Sequence, residues 1–155
     1  MGFVISGLDP APFRHLYGMD DAALSRHLAQ RVVADAAFGY PDRIALRDAA
    51  IGETLLLVNY VHQPAATPYR ASHAVFVREG AEEPARLVDQ VPPMLMRRML
   101  SLRAFDDAGA MVAAELIAGE AAGPVITELL ASPQAAYLHA HFAVRGCFAA
   151  RIDRM

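Results

Sequence analysis

The chain has 155 residues, 55% hydrophobic and 20% charged, with a formal net charge of −3. That balance excludes a disordered chain, which carries too little apolar surface to fold, and the length predicts one domain over residues 1–155 with a true core. The mild acidity argues against nucleic acid as a partner, and no apolar run approaches the ~20 residues of a membrane span.

All of the basic residues are Arg and none is Lys. With the heavy use of Ala, this points to a GC-rich bacterial genome. The N-terminus shows no basic segment followed by a long apolar run, so no signal peptide is expected and the cytoplasm is the expected location. A lone cysteine, Cys147, leaves no intramolecular disulfide.

In chain order, residues 3–8 read as a strand broken by Asp9-Pro10-Ala11-Pro12. Residues 12–17 read as a helical turn. A helix is expected from Asp20–Asp21 to about Gln30, with Asp20 as N-cap and Leu24 and Leu28 as its apolar stripe. Residues 31–35 and 43–47 read as short strands. Residues 54–60 form the most apolar strand, expected to be central and covered on both faces.

An irregular segment, Val61 to Ser72, follows. It carries His62, Gln63, Tyr69 and Arg70 and leads into His73, where a strand resumes to Arg78. A polar loop between two apolar strands is uncommon unless it has a task. Residues 80–90 are polar and expected to be mobile. Pro92-Pro93 opens a helical turn to about Met99. Residues 100–105 and 111–117 form a hairpin around Asp106-Asp107-Ala108-Gly109. Residues 119–131 read as a helix, with Pro124 in its first turn or kinking it. The chain closes on a second hairpin, residues 137–142 and 147–153. The expected architecture is α+β: seven to nine strands in a mainly antiparallel sheet, with two or three short helices.

The last hairpin concentrates chemistry. Strand residues alternate faces, so His139 and His141 share one face and Leu138, Ala140 and Phe142 the other. A three-residue turn at Val144-Arg145-Gly146 would pair Phe142 with Phe148, Ala140 with Ala150 and Leu138 with Ile152. One face would then be apolar, and the other would hold His139, His141, Cys147 and Arg151. A four-residue turn would move Phe148 to the histidine face. That slip would cost the burial of two Phe and two aliphatic side chains, about 1.5–3 kcal/mol for each large one. The three-residue turn is therefore expected.

The segments Gly52 to Tyr60, His62-Gln63-Pro64, Pro68 to Ala74 and His139-Ala140-His141 through Gly146-Cys147 resemble the family catalogued as domain of unknown function 1203. Gly7-Leu8-Asp9 and Ala149 to Arg154 extend the likeness to essentially the whole chain. The resemblance implies a single small bacterial domain and supplies no chemistry.

Three functional readings remain open. In the first, His139 and His141 aim two imidazoles at a transition metal, with a third ligand from His62, His73 or Cys147. Arg151 beside His139 opposes this, because a cation next to a cation site is unfavourable. In the second, a small anionic molecule is held by Arg70 and Arg151 with Tyr69. His62, His73, His139 and His141 would then act as acid/base groups and Cys147 as a nucleophile. In the third, the protein is an interaction module without chemistry; a homodimer through an edge strand is open as well. The first two readings require the last hairpin to lie beside the central strand with its polar face toward the loop, which the sequence leaves undecided.

Overall fold

The structure, a computed structural model, describes residues 1–155. Its strands are β1 (Phe3–Ser6), β2 (Ala29–Val33), β3 (Pro41–Asp42), β4 (Arg47–Asp48), β5 (Thr54–Gln63), β6 (Ala71–Arg78), β7 (Arg86–Val88), β8 (Met99–Phe105), β9 (Met111–Ala118), β10 (Tyr137–Phe142) and β11 (Phe148–Arg154). The helices are α1 (Asp21–Arg26), α2 (Pro93–Met96) and α3 (Ala122–Ala131), with 3-10 segments at Ala11–Leu16 and Gly119–Ala121.

The strands form a six-stranded sheet, β7-β1-β11-β10-β8-β9, and a five-stranded sheet, β2-β5-β6-β3-β4. Every pairing is antiparallel except the single bridge between β3 and β6. This is the expected α+β class, with more strands than the sequence suggested because three of them are only two or three residues long.

The six-stranded sheet is buried on both faces at its centre. On one face Leu138, Ala140, Phe142 and Ile152 pack with Ile126 and Leu130 of α3. On the other, Phe148 packs with Leu56 and Val58 of β5 and Val75 and Val77 of β6. The period-2 apolar pattern of β5 and β6 therefore faces the other sheet. The second face of β5 is covered at its start, where Leu55 meets Ala34 and Ala49, and opens to solvent by Asn59.

Several expectations need correction. α1 stops at Arg26, and Leu28 is exposed with a φ of 55°. Only Leu24 of the expected stripe is buried, because β2 starts at Ala29 and draws the chain out of the helix. Residues 43–47 do not form a strand. Asp42 is buried there and its carboxylate accepts from the amides of Ile44 and Ala45, folding the segment into a turn. Residues 80–90, read as a polar loop, contain a strand, since β7 pairs with β1. β5 continues three residues past Tyr60, so His62 and Gln63 belong to a strand and not to the loop.

The last hairpin departs from the expected turn in an instructive way. Four residues, Ala143 to Gly146, connect β10 to Cys147, closed by the Phe142 amide donating to the Cys147 carbonyl at 2.9 Å and the Gly146 amide to the Phe142 carbonyl at 2.7 Å. Gly146 takes a φ of 78°, as a turn of this kind asks of glycine. His141 then pairs with Phe148, while Ala140 pairs with Ala150. One extra residue, Ala149, forms a β-bulge that restores the expected register for Leu138 opposite Ile152 and His139 opposite Arg151. Phe148 thus joins the histidine face. Nothing is lost by this, because that face is covered by the second sheet.

Candidate metal centre

Two strands from different sheets build the site. On β10, parity aims His139 and His141 at the five-stranded sheet. On β5, the register shifts by one residue between Tyr60 and Gln63. This bulge lets two consecutive residues turn inward: His62 and Gln63 are both buried while Val61 is exposed. Gln63 Nε2 donates to the Tyr137 hydroxyl at 2.9 Å, tying the end of β5 to the start of β10.

The three imidazoles meet. Ring centroids are 4.8 Å apart for His62 and His141, 6.0 Å for His62 and His139, and 6.2 Å for His139 and His141. One ring nitrogen from each lies within 4.8 Å of the others. His62 is 9% exposed, His139 3% and His141 0%. Aromatic rings wall them in. Phe148 stacks parallel to His62 at 5.7 Å and meets His139 edge-on at 5.1 Å. Phe105 and Tyr137 flank His139 at 4.9 and 5.3 Å.

The electrostatics keep all three rings neutral. Burial pushes His62 down to about 4 and His139 and His141 to about 3, with Arg103 adding to each shift. Nδ1 of His141 lies 3.0 Å from the Gly146 carbonyl. A carbonyl only accepts, so Nδ1 carries the proton and Nε2 presents a lone pair. That Nε2 has no partner, nor do His62 Nδ1 and His139 Nδ1. Buried polar atoms are almost always satisfied. Three converging imidazoles, each with an orphaned ring nitrogen, fit a metal ligand set, and the His141 bond to a carbonyl is the outer contact that orients a ligating histidine. A tetrahedral ion with bonds of about 2.1 Å needs donors about 3.4 Å apart, so the three rings must close in from separations of up to 4.8 Å to share one.

Of the other candidates, Arg151 and His73 border the three imidazoles and the rest lie apart. Cys147 faces away from the histidines, because the four-residue turn sets it beside Phe142. There Arg43 Nη2 donates to its Sγ at 3.1 Å. It is neither a third ligand to this cluster nor placed to act as a nucleophile in it. His73 lies opposite Tyr60 on β6, half-buried, with Nδ1 3.0 Å from the Ala74 carbonyl. It borders the cluster without joining it. Tyr69 is exposed on the turn after β5, and Arg70 donates to the Pro64 carbonyl of that same turn. Arg151 lies 3.9 Å over the Tyr137 ring and pairs with Asp153 at 2.8 Å. Asp153 offsets part of that charge, but Arg151 stands directly across from His139 and still works against positive charge on its ring. His15 and His27 form an exposed pair with ring centroids 5.3 Å apart, remote from this chemistry as expected of surface groups.

Three contributors escape a sequence reading. Phe148 walls the site only because of the bulge. Arg43 is almost fully buried and donates to the Phe148 carbonyl at 2.9 Å and the Pro41 carbonyl at 2.6 Å, pinning the bulged strand. Arg103 of β8 pairs directly with His139. The alternation Ser101, Arg103, Phe105 signals a shared face, but nothing local says that this face adjoins β10.

No curated protein and no solved structure matches the chain. A family described as "Protein of unknown function (DUF1203)" matches residues 39–154, which include His62, Arg103, His139 and His141. The chain belongs to that family.

Proposed function

We propose that this protein binds a divalent transition metal ion through His62, His139 and His141. One observation carries the reading: three buried, neutral imidazoles converge with an unpartnered ring nitrogen each. A buried polar atom without a partner costs about 1–3 kcal/mol, and a shared ion removes that cost at all three. An all-nitrogen set of three suits zinc and its neighbours, and three protein ligands leave a coordination position open. When bound, such an ion supplies Lewis-acid chemistry.

The metal reading is preferred over a carboxylate or phosphate clamp at Arg70 and Arg151. Both guanidinium groups are already engaged, one by the Pro64 carbonyl and the other by Asp153. It is preferred over an interaction module because the orphaned nitrogens lie in the interior, where no partner surface reaches them. No helix is long and apolar enough to cross a membrane.

Elemental analysis of the purified, untagged protein tests this directly. Near-stoichiometric zinc, cobalt, nickel or iron is expected, and less than a tenth of that in the His139→Ala/His141→Ala double variant. Metal-free protein that also fails to take up zinc or cobalt on titration would rule the reading out.

A further inference from the structure

Arg103 is out of place in the neighbourhood just described. It projects from β8 on the same face as His139, its direct cross-strand partner, and Ser101 stands likewise opposite His141. Nε of Arg103 donates to Ser101 Oγ at 3.2 Å, which fixes the plane of the guanidinium and leaves both Nη groups without a protein partner. No carboxylate lies within ion-pairing distance of it, although Arg31, Arg47, Arg78, Arg97, Arg98 and Arg151 each have one. It is only partly exposed, and burial lowers its affinity for a proton. Asp153, the nearest acidic group along β11, is held by Arg151.

The charge balance is then one-sided. Three neutral imidazoles leave a divalent ion with its full charge, and a half-buried guanidinium beside it adds another positive charge with nothing opposite. Such an arrangement asks for an anion. A fixed guanidinium with two free Nη groups presents the fork that matches two oxygens of a carboxylate or phosphate. We propose that Arg103 and the open coordination position together bind a small oxyanion, one oxygen toward the ion and others toward the Arg103 Nη groups. This rests on the metal reading and names the ligand class of that same site. It also assigns the anion to a different arginine from the two that the sequence singled out.

The experiment uses the full-length protein loaded with Co(II), whose visible absorption reports changes in coordination, titrated with inorganic phosphate and separately with acetate. A saturable spectral change with at least one of the two is expected. The dissociation constant should rise at least tenfold in Arg103→Gln, with cobalt stoichiometry unchanged. Arg103→Lys, which keeps the charge and loses the fork, should fall between them; it also serves as the probe if the Gln variant does not fold. Cobalt-loaded protein that responds to neither anion overturns the oxyanion proposal alone. So does equal anion affinity in wild type and in the Arg103 variants. Failure of the wild type to take up cobalt overturns the metal reading and this proposal with it.

Discussion

Phe148 shows how one residue serves both stability and the site. It is 2% exposed, stacks on His62, meets Tyr60 at 5.7 Å and fills the space between the sheets. Phe148→Ala should destabilise the fold by about 3–5 kcal/mol, as large-to-small core changes do. It should also weaken metal binding, since His62 loses the ring that holds its plane. Urea denaturation and zinc titration of the same variant read the two effects. Unchanged zinc affinity in folded Phe148→Ala would show that His62 is positioned without it. Glu53 supplies a pH-dependent term remote from the site. The Arg47 guanidinium, bound at 2.7 and 2.8 Å, and the Ala50 amide lower its carboxyl to about 2. The folded value lies below that of the unfolded chain, about 4.3. The interaction therefore stabilises above that pH and is lost as pH falls toward 2. Because the pair is partly exposed to solvent, Glu53→Gln should cost only about 1 kcal/mol at neutral pH. The gap should close in acid, and a gap that persists there means the carboxylate is not its source.

At the scale of elements, bulges and close approaches do the positioning. The β5 bulge turns His62 and Gln63 inward together, and the β11 bulge turns Phe148 to the same space. Gly7, just past the end of β1, lies so close to the turn after β3 that a Cβ there would run into the Ile44 carbonyl oxygen. That carbonyl is committed, since it accepts from the Ala85 amide at 2.8 Å. Gly7→Ala should therefore cost about 2 kcal/mol or more through backbone displacement, measured by chemical denaturation; a neutral result would mean this junction yields freely. α1 offers a milder test. Asp20 caps it by accepting from the Ala23 amide at 2.7 Å, and Asp20→Ala should cost about 1 kcal/mol.

At the scale of the whole molecule, the centre sits where the two sheets meet, between core clusters that are complete without it. The metal-free protein should thus stay folded and lose only the linkage term, about 2.7 kcal/mol at free metal one hundred times the dissociation constant. Chelation should lower the melting temperature by about 5–10 °C for a chain of this size. Added zinc should restore it, and the His139→Ala/His141→Ala variant should ignore both treatments. A melting temperature indifferent to chelator and zinc in the wild type would contradict an ion bound only by the folded state.

Period-2 alternation placed His139 and His141 on one face, matched Leu138 with Ile152, and announced the β8–β9 hairpin. Asp20 announced its helix, and the apolar run of residues 54–60 announced a strand, though only its first half is covered on both faces. These are local properties: face parity, capping and hydrophobic runs follow from neighbours along the chain. The sequence also nominated His62 as a third imidazole, but as one of several candidates on an apparent loop. The turn between β10 and β11 was misread for a definite reason. Only a tertiary fact, the second sheet lying over the histidine face, makes burial of Phe148 there favourable and the four-residue turn with its bulge acceptable. Strand order within the six-stranded sheet sets Arg151 on one side of His139 and Arg103, distant in sequence, on the other, while Arg70 and Cys147 lie outside the cluster. Which groups share a face is decided along the chain; which faces meet is decided by the packing of one sheet on the other.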